Sequence, residues 1–155
     1  MDFLVALGIS IGILITGWSY IALGMPDLQL VVWAGVVGWA TFYAAGGDRD
    51  GLRKAIASNL SGCFWAALAL LLLAKTGGGV LILALLVGLI AFAMCTQAFL
   101  AVFSFIPGAF LGAATWIGAN GGAISSPNLR ICISLLAGAA LGYVSEIAAK
   151  RLAAS

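Results

Sequence analysis

From Thr76 to Leu129 the chain carries no charged residue, and this stretch limits what the chain can fold into. A soluble domain covers its surface with charge, so a segment this long without any must be solvated by something other than water. The rest agrees: 64% of the 155 residues are hydrophobic and 8% charged, and the mean hydropathy is +1.20. The apolar runs last about 20 residues each, enough to cross a hydrocarbon core of roughly 30 Å as helix. Barrel strands would instead alternate polar and apolar residues in shorter segments. The sequence therefore reads as an all-α integral membrane protein, a single transmembrane domain over residues 1–155 with the lipid bilayer as its solvent.

Six spans are expected, at 3–23, 28–45, 55–73, 80–96, 98–119 and 130–149. Met1-Asp2 leads into the first with no basic region and no small-residue cleavage pattern, so it reads as a retained span and not a removed signal. The first connection, "GMPDLQ", is acidic, whereas "GGDRDGLRK" holds Arg49, Arg53 and Lys54, and Lys150 and Arg151 follow the last span. Basic loops stay in the cytoplasm, and six spans with both termini inside place both clusters there.

The uncharged stretch is longer than two simple spans and contains Thr96-Gln97, Pro107-Gly108 and Asn120-Gly121-Gly122. Non-helical backbone at membrane depth has to be buried in protein or line a wet cavity. A broken or re-entrant helix is thus expected near Pro107 and Gly108.

An internal repeat is legible. Gly38, Thr41 and Gly46-Gly47 match Gly112, Thr115 and Gly121-Gly122; Ser58, Leu60 and Gly62 then match Ser134, Leu136 and Gly138. Units 1–74 and 75–155 would hold three spans each, and an odd number makes the second unit enter the membrane from the opposite side. Such inverted pairs are common among channels and transporters, whose sites lie near the midplane between the repeats. Pro107-Gly108 has no sequence counterpart in the first unit, so the break is expected in one half only.

Several residues are candidates for a solute path. Asn59 lies inside the third span and needs either another helix or a permeating solute as partner. Thr41 and Thr115 are repeat mates and so a candidate symmetric pair, although Thr in a helix commonly bonds its own i−4 carbonyl. Gln97 and Asn120 flank the fifth span as pore mouths or interfacial caps. Phe64, Trp65, Phe103, Phe105 and Trp116 are candidates for aromatic constrictions, or for plain packing. Glu146, an acid within a span, is a candidate for proton coupling; the alternative is an ion pair with Lys150 one turn on. Gly8/Gly12, Gly108/Gly112 and Gly138/Gly142 give flat faces for helix contacts or for a homo-oligomer.

Chemistry finds little support. Cys63, Cys95 and Cys132 are odd in number and far apart, and read as small packing residues. Histidine is absent, and no metal set, nucleophile–base pair or phosphate-cradling motif appears. A net charge of +2 spread over loops gives no basis for nucleic-acid binding. The expectation is a non-enzyme without cofactor.

"GWATFYAAGGDRDGLRKAIASNLSGCFWA" followed by "SFIPGAFLGAATW" resembles a small bacterial inner-membrane family of unknown function, the YcdZ-like proteins, over nearly all of the chain. The resemblance implies a compact multi-span fold in the inner membrane and no established site residues. A fainter likeness to urea and amide channels rests on apolar helices broken by Pro-Gly beside aromatics, without the signature motifs of urea transporters. Together these readings favour a channel or facilitator for a small uncharged polar solute, urea- or amide-like. A proton-coupled transporter and a non-transporting partner subunit are the alternatives.

Overall fold

The computed structural model describes residues 1–119 and 126–154. Its helices are α1 Phe3–Gly24, α2 Val32–Ala44, α3 Asp48–Lys75, α4 Val80–Thr96, α5 Ile106–Gly118 and α6 Ser126–Ala154. Local chemistry sets their ends. Asp2 caps α1, its carboxylate accepting the Leu4 N–H at 2.8 Å. Gly46 and Gly47, at φ +106° and +69°, make the reversal into α3 that a Cβ would strain. Asp48 and Asp50 in the first turn of α3 and Lys75 in its last complement the helix dipole. Pro107 sits in the first turn of α5, where its missing N–H costs no hydrogen bond.

Six helices form where six spans are expected, and the fourth has the expected bounds. By length and composition, though, only four of the described helices are suited to crossing a bilayer: α1, α3, α4 with its following turn, and α6. The helices α2 and α5 have 13 residues each, about 20 Å against a core of roughly 30 Å. The expected second span begins instead with the end of the turn Pro26–Leu28, a left-handed Gln29 and an extended Val31, and the fifth with the tight turns Gln97–Phe99 and Ala101–Phe103.

Pro107 therefore opens a helix after a break and does not kink one at its centre. Nor does the break belong to one half only. The register that pairs Gly38 with Gly112 and Thr41 with Thr115 also pairs Val32 with Ile106 and Ala44 with Gly118, so α2 and α5 begin and end at equivalent positions. Trp33 stands where the other helix has Pro107. Hydropathy does not separate an apolar turn from an apolar helix, which is why the first break was missed.

The central helices are α3 and α6, with α1 and α4 more exposed at the periphery. The short helices are exchanged between the halves: α2 packs mainly on α6, and α5 mainly on α3. Both crossings are backbone against backbone. A Cβ on Gly38 would collide with the Leu135 carbonyl, and one on Gly112 with the equivalent Asn59 carbonyl. A Cβ on Gly62 would strike the Ala109 carbonyl, and one on Gly138 the equivalent Gly35 carbonyl. Without a hydrophobic force between helices in lipid, such close approach supplies much of the association energy.

Gly62→Ala, Gly112→Ala and Gly138→Ala are each expected to cost about 1–3 kcal/mol by overpacking. Gly88→Ala on α4, where a Cβ meets nothing within 4 Å, should be neutral or slightly stabilising. Thermal unfolding of the four variants in one detergent checks the contrast.

Candidate functional site

The α3–α5 crossing brings two polar side chains into the most densely packed part of the molecule. Ser58 and Asn59 are 0% and 1% exposed. Asn59 lies there because its own carbonyl is pressed against Gly112, and Ser58 because Gly108 lets α5 start directly over it: a Cβ on Gly108 would meet the Ser58 Cβ at 2.9 Å. The Ser58 Oγ and both polar atoms of the Asn59 amide have no hydrogen-bond partner among the described residues. Leaving a buried polar group unpaired costs about 1–3 kcal/mol.

The equivalent positions in the other half show how the same crossing looks when satisfied. Ser134, the mate of Ser58, donates to the Arg130 carbonyl at 2.8 Å and accepts the Val31 N–H at 2.9 Å. The mate of Asn59 is Leu135, 1% exposed and without a polar group to satisfy. One crossing thus has its serine satisfied, whereas the other carries an unspent donor and acceptor set.

Beside this pair, Gln97 ties the break after α4 to α3. Its Oε1 accepts the Trp65 indole N–H at 3.0 Å, and its Nε2 donates to the Ser61 Oγ at 2.9 Å. Ser61 in turn donates to the Ser58 carbonyl at 2.8 Å. Gln97, Ser61 and Trp65 line an open groove of about 590 Å³ whose other walls are apolar.

Among the aromatic candidates, Phe64 and Phe103 line the same groove as Trp65, with Phe64 51% exposed and edge-on to Trp65 at 5.3 Å; Trp116 is buried, and the Phe105 ring faces Gly108. The other candidates fall elsewhere. Thr41 and Thr115 do not face each other through their hydroxyls; each donates to its own i−4 carbonyl, Val37 and Leu111, at 2.7 Å. Asn120 lies outside the described residues. Glu146 is remote from Asn59, at the α2–α3 turn, where its carboxylate accepts the Asp48 N–H at 2.8 Å and pairs with Lys150 at 2.8 Å. Lys150 also reaches Asp48 at 2.7 Å.

A family model described as a protein of unknown function (DUF1097) matches residues 8–150. The chain belongs to this family. It is 33% identical over 133 residues to the inner membrane protein YcdZ of Escherichia coli K12, covering 84% of this chain and 80% of the relative. The YcdZ of Salmonella typhimurium LT2 is 34% identical over 135 residues, covering 84% and 81%. The uncharacterized protein YahC of Escherichia coli K12 is 33% identical over 168 residues, covering 98% and 94%. No solved structure is significantly similar. The resemblance to YcdZ-like proteins is thereby borne out.

Sequence reasoning also missed a buried hub in this DUF1097 member. Ser145 on α6 shares a 2.7 Å hydrogen bond with the Tyr43 hydroxyl, accepts the Trp39 indole N–H at 3.2 Å, and receives the Ser10 hydroxyl on its carbonyl at 3.0 Å. It joins α1, α2 and α6, and no spacing rule on one helix reveals it. The Glu146 cluster completes the same end of the molecule. Glu146→Gln is expected to destabilise by about 1–3 kcal/mol, because its single amide oxygen cannot answer both the Asp48 N–H and Lys150, and its NH2 is set against whichever donor is left. Asp50→Asn, breaking the exposed pair with Lys54, should cost under about 1 kcal/mol; chemical unfolding of both variants tests the difference.

Proposed function

We propose that this chain is a channel or facilitator for a small, uncharged polar solute of the urea or amide type, working in the bacterial inner membrane. The observation that carries this reading is the unpartnered amide of Asn59 beside the unpartnered hydroxyl of Ser58. A buried amide offers two N–H donors and a carbonyl acceptor at once, and the ligand that answers both without bringing charge is itself an amide, a urea or water. An ion would need compensating charge or dense carbonyl coordination, whereas the charged groups Asp48, Glu146 and Lys150 pair with one another at the α2–α3 turn.

The agreement between the halves in helix bounds, glycine crossings and threonine bonds supports two inverted three-helix repeats, and a site at their centre fits that architecture. The two basic clusters share one end of the molecule, through Lys150 with Asp48 and Arg49 with Tyr143. That favours both termini in the cytoplasm. Gly8 and Gly12 on α1, where an added Cβ would meet nothing within 4 Å, suit a homo-oligomeric contact. Proton coupling through Glu146 is the weaker reading, since that carboxylate is already engaged by a cation and a backbone N–H.

The test is solute-driven volume change of liposomes holding the protein, read by light scattering across urea, formamide, acetamide and glycerol. Wild type should permeate the amides faster than empty vesicles. Asn59→Leu, which installs the residue its repeat mate carries, should abolish that permeation while leaving stability unchanged or raising it by about 1–3 kcal/mol. Equal rates for wild-type and empty vesicles, or full permeation by a folded Asn59→Leu protein, would overturn the reading.

A further inference from the structure

Cys63 on α3 and Cys132 on α6 are free thiols separated in sequence by two further helices, yet the fold sets them side by side. Both line one cavity of about 140 Å³ between α3, α5 and α6. Cys63 is 3% exposed and also donates to the Gly112 carbonyl at 3.4 Å. Cys132 is half-buried. The other walls are apolar: Leu60, Ala67 and Trp116, with Phe64 and Leu129 at the rim. Phe64 and Leu129 are 51% and 45% exposed, so the cavity opens on the outer apolar face of α3 and α6, two helices suited to crossing a bilayer.

These surroundings select among what two adjacent thiols can do. Holding a soft monovalent cation as a pair of thiolates would leave net negative charge in an apolar cavity, which is costly. A disulfide is neutral and needs no counter-charge. The reagent that forms it must be soluble in lipid, because the rim opens there.

We propose that Cys63 and Cys132 are a redox-closable pair, oxidised by a membrane-soluble quinone to a disulfide that staples α3 to α6. Two S–H bonds break and one S–S bond forms. The two electrons and two protons pass to the quinone, which leaves as the quinol. The staple joins the two halves of the chain one helical turn from Asn59, on the helix face that also meets Gly112. This inference stands on the thiol geometry and does not depend on a transported solute.

The test uses the full chain in phosphatidylcholine vesicles treated with tetramethylbenzoquinone, whose fully substituted ring disfavours thiol addition. The protein is then unfolded in detergent with a maleimide to count free thiols, and its peptides are mapped by mass. The expected result is loss of Cys63 and Cys132 but not Cys95, a linked peptide pair short of two hydrogens, recovery with reductant, and a higher unfolding temperature for the oxidised form. Cys95→Ser should keep the link, and Cys132→Ser should lose it. Retention of all three thiols, a link through Cys95, or a quinone adduct on Cys63 or Cys132 would overturn the proposal, and the wild-type measurement decides it even if a variant fails to fold.

Discussion

The architecture depends on backbone touching backbone at two glycine crossings, α2 on α6 and α5 on α3. Water does not drive these helices together, because lipid solvates an apolar side chain as well as protein does; close packing has to do it. Glycine at Gly38, Gly62, Gly112 and Gly138 lets carbonyls approach to a distance no side chain allows. The same closeness leaves almost no room for a polar group between helices. Polar residues at the crossings therefore bond their own helix, as Thr41 and Thr115 do, or cap a neighbouring chain, as Ser134 does for Val31.

Against that rule the Ser58–Asn59 pair stands out. It occupies the same place in the packing as Ser134–Leu135: the contacts of Gly112 with the Asn59 carbonyl and of Gly62 with the Ala109 carbonyl match those of Gly38 with Leu135 and of Gly138 with Gly35. The polar groups differ, and so does the residue over the serine, Gly108 in one half and Ala34 in the other. A structural role alone would be served by the arrangement of the other half, in which the serine is satisfied and the next residue is leucine. An unsatisfied buried polar group calls for an explanation, and the proposed solute path is the one offered for Asn59.

Much of the fold was legible because the bilayer imposes a simple pattern. The six apolar runs, the bounds of α4 and the ion pair of Glu146 with Lys150 all follow from composition and spacing along one strand of text. What failed shares a cause. The shortened α2 and α5 were hidden because Leu28–Val31 and Ala98–Phe105 are as apolar as helix. The Gly8/Gly12 and Gly108/Gly112 spacings read alike, yet α1 leaves the first open and α5 spends the second against Asn59. The contact of Glu146 with the Asp48 N–H and the shared cavity of Cys63 and Cys132 join segments far apart in the chain, and no periodicity within one helix encodes them. For the site, Asn59 was visible as a buried amide, but its lack of a partner became evident only from the packing around it.

The exchange of short helices has a consequence for biosynthesis. Because α2 rests on α6, the first three helices reach the membrane with one of their number lacking its main neighbour. During translation α2 has to wait, partly unsupported, until nearly all of the chain has emerged. The first unit is therefore a poor candidate for independent life, and a ribosome that stalls before α6 leaves behind a short apolar helix for membrane quality control to find.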